Sequence, residues 1–380
     1  MSYEIVLQDK YYLRELIESI SLKDSLDQIS YQADIKFKVS TGFPDMQPGQ
    51  EIRVSGIPFG LTTWHPLLDP GVVWECDSSN NATKHMSMTV YDRTIYLAES
   101  EDEYLLPAGQ TASQRLRKYA TDWGIKLATI PDSKTQLKKA VYRSQAIYNM
   151  ITSDLQETVK SGGDMFIPRM TTNGLELFEI GSNKDVWVLQ AIEETSQRRS
   201  LKGTITKVKV IGTEDRKAKA TTKPSAKTAD KKDTITIPEG MTLEEIGRLY
   251  GGKVDKKSKK KGKKAKIKAG SKVELPSKIL AIATGQTSKF GTLQRMIQDE
   301  DVKTTAAAKK LGESMLSGIQ ETYSVSCLDL NTLRAGDVVN YSNMDLIATS
   351  VTHDLGDPGH MRLELASENY VRRRYFLKYA

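Results

Sequence analysis

Alternation of apolar and polar residues, broken by turn residues, recurs in two regions of this 380-residue chain, and it restricts the fold more than any other feature. Between Ile5 and Leu97, the segments ADIKFKVS, EIRVSGIPFG, GVVWECDSS and HMSMTVYDRTIYLAES read as strands. They are separated by FPDMQPGQ, LLDPG and DSSNN, where Pro, Gly, Asn and Asp break the pattern. Every second side chain of a half-buried strand faces the core, so short strands at this spacing predict a β-sandwich or barrel. The alternation returns at Asp164. MFIPRMTTNGLELFEIGSNKDVWVLQ predicts a hairpin around Thr172, Asn173 and Gly174, and SLKGTITKVKVIG is an extended run carrying Ile205, Val208, Val210 and Ile211. ETYSVSCLDL, AGDVVNYS, LIATSVTHD and HMRLELASE predict four closing strands, separated by Gly336, Asn343 and the GDPG turn at 356–359.

Helical texture lies between these regions. PAGQTASQRLRKYATDWGI has Ala, Leu, Tyr and Trp at helical spacing, and SKTQLKKAVYRSQAIYNMITSDLQETVKSG continues with Val141, Ile147, Ile151 and Leu155. LQRMIQDEDVKTTAAAKKLGESMLSGIQ predicts one or two further helices. The stretch TEDRKAKATTKPSAKTADKKD, from Thr213 to Asp233, lacks the apolar content to build a core and reads as a linker. The fold class is therefore α+β, mainly β, and a chain of this length is expected to hold two to four domains.

The charge balance separates one segment from the rest. The chain has 55 basic and 48 acidic residues; 18 and 6 of these fall in residues 216–268, which leaves 37 basic and 42 acidic elsewhere. A duplex-binding protein spreads its basic side chains over the folded face that follows the phosphates. Here the basicity is confined to a lysine run at 253–268, which argues against sequence-specific nucleic-acid binding; such a run is most often a solvated loop. No run of about 18 apolar residues is present, so no membrane-spanning helix is expected. The start MSYEIVLQDKYYLRELIESISLKDS lacks an apolar core behind a basic end, so no signal peptide is expected and the chain reads as cytoplasmic when made. Cys76 and Cys327, in VVWECDSS and YSVSCLDL, are expected as two buried free thiols rather than a disulfide.

Catalytic chemistry has little to stand on. His65, His85, His353 and His360 are scattered, and the His353–Asp354 pair lacks the further ligands a metal site needs. Neither a Gly-rich phosphate loop nor a GxSxG elbow occurs. The carboxylate pairs Glu244–Glu245 and Asp299–Asp301 fit solvated helix surfaces. Trp64, Trp74, Trp123 and Trp187 suit core packing or a subunit contact. No catalytic residue, metal or cofactor is expected, and the chain is read as a non-enzyme.

Four segments in a fixed order carry a resemblance: TVYDRTIYLAES at 89–100, KYATDWGIKL at 118–127, KFGTLQRMIQDEDVKTTAAAKKLGESML at 289–316, and LRAGDVVNYSNMDLIATSVTHDLGDPGHMRLELAS at 333–367. The chain resembles the baseplate hub proteins of contractile phage tails, the late-control-protein-D-like family also found in defective prophages and phage-tail-like bacteriocins. The resemblance implies two barrel-like β domains lining a ring, with a helical subdomain outside it. It implies a homotrimer that joins the six-fold tail tube protein to the trimeric central spike protein, near the tape-measure protein and other baseplate components. The implied division is a tube domain at 1–105, a helical subdomain at 106–163, a second β domain at 164–213 and 321–380, an insertion at 214–276 and a helical segment at 277–320.

The insertion has a second resemblance. DTITIPEGMTLEEIGRLYGGKVD followed by IKAGSKVELP resembles a LysM module at 234–276, a small βαβ unit. Ile235 and Ile237 alternate on its first strand, Val273 and Leu275 on its last, and Thr242 with Glu245 forms a capping-box pattern. The resemblance implies peptidoglycan as a partner, with Gly240, Met241, Thr242, Leu243, Ile267 and Gly270 as glycan contacts. Met241 departs from the Asp or Asn usual there, and the lysine run replaces the second helix. The alternative function is a LysM-targeted peptidoglycan-binding or peptidoglycan-active protein.

Overall fold

The computed structural model describes residues 3–40, 42–81, 83–212, 234–236, 272–274, 278–298, 302 and 304–377. The chain divides into two compact units, Met1–Ser200 with Gln320–Ala380, and Leu201–Ile319.

The first unit opens with β1 (Tyr3–Leu7), β2 (Tyr11–Tyr12), β3 (Ile17–Ser25), β4 (Gln32–Lys38), β5 (Glu51–Gly56), β6 (His65–Asn81) and β7 (Thr83–Asp92). They pair antiparallel in the order β3-β4-β7-β6-β5-β1-β2. The alternation decides the faces. Ala33, Ile35 and Phe37 of β4 are buried, whereas Lys36 and Lys38 between and beyond them are exposed. Ile5 and Leu7 of β1 share one core with Ile20 and Leu22 of β3, although five strand pairings separate β3 from β1 in the sheet. The sheet must therefore curl until its two ends approach a common interior, which gives a barrel-like domain.

A smaller layer follows: α1 (Ile95–Glu99), β8 (Glu101–Leu106), α2 (Ala112–Asp122), β9 (Ala140–Ala146) and α3 (Ile147–Lys160). The Thr111 side chain and Gln114 form a reciprocal capping box that starts α2. Two expectations are corrected here. Residues 95–99 form a helix, not the end of a strand. Residues 140–146 form a strand, not a helix, because they pair antiparallel with β8, and Val141 is exposed. The β10 (Phe166–Thr171) and β11 (Gly174–Glu179) strands form the expected hairpin with Thr171 opposite Gly174. β12 (Trp187–Val188) and β13 (Ile192–Ser200) lead to the second unit.

The second unit contains β14 (Lys207–Gly212), β15 (Thr234–Thr236), β16 (Lys272–Glu274), β17 (Lys278–Thr284), α4 (Thr287–Phe290), β18 (Gln294–Gln298) and α5 (Thr305–Met315). Residues 294–298, expected as helix, are a strand parallel to β14. The sheet order is β17-β14-β18, and α5 packs its buried Ala308, Gly312 and Met315 against it. Gly312 permits this close approach: a Cβ there would stand 3.0 Å from that of Ala283.

Residues 213–277 leave and rejoin this sheet at Gly212 and Lys278, which are directly paired on β14 and β17. The whole insertion thus occupies the place of a hairpin turn, where the two chain ends are neighbours. A chain in which residues 213–277 are replaced by Asn-Gly is expected to melt within about 2 °C of the full-length protein, since the β17-β14-β18 sheet keeps every ladder and only the short β15–β16 pair is removed. A drop of more than about 8 °C in calorimetry would show that the insertion supports the fold.

The chain then returns to the first unit with β19 (Gln320–Leu328), β20 (Val338–Tyr341), β21 (Met344–Asp354), β22 (His360–Ala366) and α6 (Glu368–Val371). Val325, Cys327, Leu333, Val339, Ala348, Val351, Leu363 and Leu365 build a second core. The fold is mainly β, with the four closing strands where the alternation placed them.

Candidate functional site

The second β region does not stand apart from the first. β21 pairs antiparallel with β3, Val351 opposite Asp24 and His353 opposite Leu22. One continuous antiparallel ribbon of eight strands results, in the order β13-β19-β22-β21-β3-β4-β7-β6. Both cores lie on the same face of it, because Cys327, Met361, His353 and Leu22 stand in one row across four strands and all are buried.

The opposite face is polar over most of its length, interrupted by the exposed Leu328 beside His360 and by Tyr91 beside Gln32. One row reads Glu194, Ser326, Arg362, Thr352, Lys23 and Gln32, and the next includes Asp354, Ser21, Asp34, Thr89 and Glu75. Lys23 and Asp34 form an ion pair at 2.6 Å. Serine and threonine hydroxyls and charges of both signs give this face no basic track that could hold phosphates.

Both ends of the ribbon are open. Among the described residues β13 has β19 as its only ladder partner, and eight of its nine residues are exposed. At the other end, β5 pairs with β6 only from His65 to Val72, and Val73 still bonds to Gln50. Residues 74–81 of β6 therefore pair with β7 alone among the described residues.

Buried charges lock the joint between the two β regions. Arg334 Nε donates to Asp24 Oδ2 at 2.5 Å, and the Ala335 N–H donates to the same oxygen at 3.2 Å. The Arg334 guanidinium also covers the Tyr31 ring at 3.8 Å. Arg169 from β10 donates to Asp337 at 2.8 Å, and Asp337 accepts from the Arg334 N–H at 2.8 Å. Gly336, at φ +92°, makes the turn between these groups; a Cβ there would meet Ile167 Cδ1 at 2.8 Å. Burial alone would raise the Asp24 pKa, but the Arg334 and Arg169 charges and the Arg334 and Ala335 hydrogen bonds outweigh it and hold the carboxyl below its ordinary value.

Asp92 is the counter-case. It is buried without a cation of its own, and burial pushes its pKa up to about 6 despite hydrogen bonds from Thr94 and the Tyr31 N–H. An acid whose folded pKa exceeds its unfolded value binds more protons in the folded state across that interval. The stability contributed by Asp92 is thus largest in acid and falls as pH rises from about 4 to about 6. Asp92→Asn is expected to flatten the denaturation midpoint between pH 4.5 and 6.5, removing a fall on the order of 2 kcal/mol. An unchanged slope in the variant would assign the pH dependence to other groups.

The histidines singled out in the sequence are dispersed. His353 bonds not to Asp354 but to Asp329 at 2.7 Å and to the Leu333 carbonyl at 2.8 Å, tying β21 to the loop that carries Arg334. His85 pairs with Glu18, His360 with Glu193, and His65 contacts Thr63. Among the described residues no group of three His, Cys, Asp or Glu could hold a metal. Cys76 and Cys327 are free thiols; Cys327 is buried as expected, which raises its pKa to about 11, whereas Cys76 is only partly buried. Trp74 packs on Tyr91 and Tyr96, Trp187 on Phe59, and Trp64 lies under Arg14, while Trp123 is exposed. Gly240, Met241, Thr242, Leu243, Ile267, Gly270 and the lysine run lie outside the described residues. Asp24, Arg169, Arg334 and Asp337 were not singled out in the sequence; the signal was the charged pair flanking Gly336 in LRAGD.

A protein-family profile described as YQBQ-like matches residues 70–236. No curated protein matches the sequence. Among solved structures, the 43 kDa tail protein of prophage MuSo2 from Shewanella oneidensis is 12% identical, with 97% of this chain and 99% of that chain aligned at a TM-score of 0.62. The tail protein from Neisseria meningitidis MC58 is 11% identical, with 97% and 98% aligned at 0.60. Prophage tail protein gp18 from Listeria monocytogenes EGD-e is 11% identical, with 99% and 98% aligned at 0.51. Identities this low speak to the fold, and the fold is that of prophage tail proteins.

Proposed function

We propose that three copies of this chain form the baseplate hub of a contractile tail or tail-like particle, a structural adaptor between the six-fold tail tube and the trimeric central spike. The eight-stranded ribbon with two open edges carries this reading. Each step across the ribbon reverses strand direction, so β13 and β6 at its ends run antiparallel to each other. A head-to-tail contact between β13 of one copy and residues 74–81 of β6 in the next extends the same ladder, and such contacts close into a ring.

The register supports closure. Followed across the eight strands, the open stretches of β13 and β6 are displaced along the strand direction by about eight residues. That is about one residue of shear per strand, which with a rise of ~3.3 Å and a spacing of ~4.8 Å gives a tilt of ~35°, within the range of closed barrels. The displacement is even, so the polar face stays continuous. Twenty-four strands at such a tilt enclose a barrel on the order of 50 Å across between backbones, lined by the mixed polar face. Two similar β regions per chain turn three-fold symmetry at the spike into near six-fold symmetry at the tube.

In this register Arg198 of one copy faces Asp77 of the next. Asp77→Arg sets like charges opposite each other at every ring contact, and the expected result is loss of the hub–spike complex from co-purification while the folded chain keeps its melting temperature. Undiminished capture of spike by the variant would argue against this contact.

On this reading the chain is made in the bacterial cytoplasm and assembled into the virion or particle, where tape-measure and other baseplate proteins are neighbours. One observation favours a second role for the insertion: β15 and β16 pair antiparallel with Ile235 opposite Val273, the arrangement a LysM-like unit needs for its outer strands. The insertion is proposed to meet peptidoglycan through residues 240–243, Ile267 and Gly270. Retention of the full chain, but not of one lacking residues 213–277, on purified cell wall tests it.

A further inference from the structure

The open β13 edge carries a second pattern that ring closure does not use. From Glu193 to Arg199 it reads Glu-Glu-Thr-Ser-Gln-Arg-Arg, with two acids and two bases placed symmetrically about Ser196. In an antiparallel pair of identical strands centred on Ser196, Glu194 meets Arg198 of the other copy, Glu193 meets Arg199, and Thr195 meets Gln197. All four acids and all four bases of the two strands then face opposite charges. Sliding the register by one residue leaves half of these pairs, and sliding it by two leaves none. A parallel in-register pair would set acid against acid and base against base.

Other features of β13 agree with this partner. Glu194 and Arg198 make no ion pair among the described residues, although both stand on an exposed ladder edge. Arg199 pairs with Glu321 at 2.8 Å and Glu193 with His360 at 2.8 Å, and all four side chains are more than a third exposed, so they can be shared with a second chain. The ladder shifts at Glu193, so its pair with Arg199 sits at the margin and the Glu194–Arg198 pair anchors the register. A nine-residue exposed edge strand is a ready template for another strand and is normally capped or blocked.

We infer that outside a tail two copies of this chain pair through β13, antiparallel about Ser196, and so cover the edge that assembly later needs. The pairing itself rests on the exposed edge and its charge order, whereas its standing as a resting state rests on the ring reading above. Because β13 cannot pair with both strands at once, the two-copy form is a resting state that must open before β13 can meet β6. Charge decides between them in part: Glu194 serves only the self-pair, and Asp77 only the ring contact.

Light scattering on the purified full chain tests the pairing. The expected masses are two chains for the native sequence, one chain for Glu193→Arg with Glu194→Arg, one chain for Arg198→Glu with Arg199→Glu, and two chains again when all four substitutions are combined. Ser196→Cys, which stands opposite itself across the two-fold axis, is expected to give a covalent two-chain species on a non-reducing gel, and native Ser196 none. Circular dichroism checks that each variant is folded. A native protein that is a single chain or a trimer at tens of micromolar overturns the inference. So does a two-chain species whose mass ignores the charge reversals, or a four-fold variant that stays single.

Discussion

Arg334→Ala is expected to lower the stability of the first unit by about 3–5 kcal/mol at pH 7, the effect of leaving a buried carboxylate without its cation. Arg334 and Asp24 side chains are 15% and 8% exposed, so solvent screens their pairing little. The substitution also uncovers the Tyr31 ring and removes a donor from the one point where β3, β21 and the Gly336 turn meet. Asp24 has a depressed folded pKa, so its contribution is present above its unfolded value near 3.8 and is lost as pH falls below that toward the folded value. The gap between native and Arg334→Ala proteins should therefore narrow below about pH 4. Adding Asp24→Asn to Arg334→Ala should recover part of the loss, because a neutral amide tolerates burial better than a lone charge. Guanidinium denaturation at pH 7 and pH 3.5 measures both. A loss under about 1 kcal/mol at pH 7 would mean that the joint is held by ladder and packing alone.

Asp154→Ala is expected to have a similar effect, about 3–5 kcal/mol, by a different route. Asp154 lies on α3 and accepts from Arg115 of α2 at 2.6 Å, from the Tyr142 hydroxyl at 2.7 Å and from the Tyr119 hydroxyl at 3.0 Å. Burial raises its pKa while these donors pull it down, and burial together with the Asp154 charge raises the tyrosine hydroxyls. Truncating this acceptor leaves Arg115 Nη1 and two tyrosine hydroxyls without their partner in the interior between β9, α2 and α3, and it leaves the guanidinium without its counter-charge, although Arg115 Nη2 still donates to the Pro107 and Lys138 carbonyls. Hydrogen exchange should then show α2 and α3 losing protection before the eight-stranded ribbon does. The exposed Lys309–Glu313 pair on α5 is the control, with removal costing under about 0.5 kcal/mol. Equal losses for the two substitutions would contradict the argument.

Alternation made most of the β structure legible. Ala33, Ile35 and Phe37 announce one face of β4, and the four closing strands fall where apolar residues recur at every second position. It failed where a short run fits two periods. Val141 shares a helical step with Ile147, Ile151 and Leu155, yet pairing with Leu105 makes its segment a strand. Met296 and Ile297 precede a true helix but join β14 instead.

The functional surface was less legible, for a physical reason. Alternation says which face of a strand is buried but not which strand it will meet, and the β21–β3 pairing joins residues more than 300 positions apart. The open edges and their displacement follow only from that pairing. The same holds for Asp24 and Arg334, each of which reads in the sequence as one more surface charge. The charge order of β13 was present from the start, but it gains meaning only once the strand is known to be an edge.

The count of chains bound to one spike tests the hub reading most directly. The chain is co-expressed with the trimeric spike protein of the same tail, and the purified complex is weighed by native mass spectrometry. The ring account predicts three copies of this chain per spike trimer, and loss of that complex on Asp77→Arg. A complex holding one or two copies, or none, would contradict it.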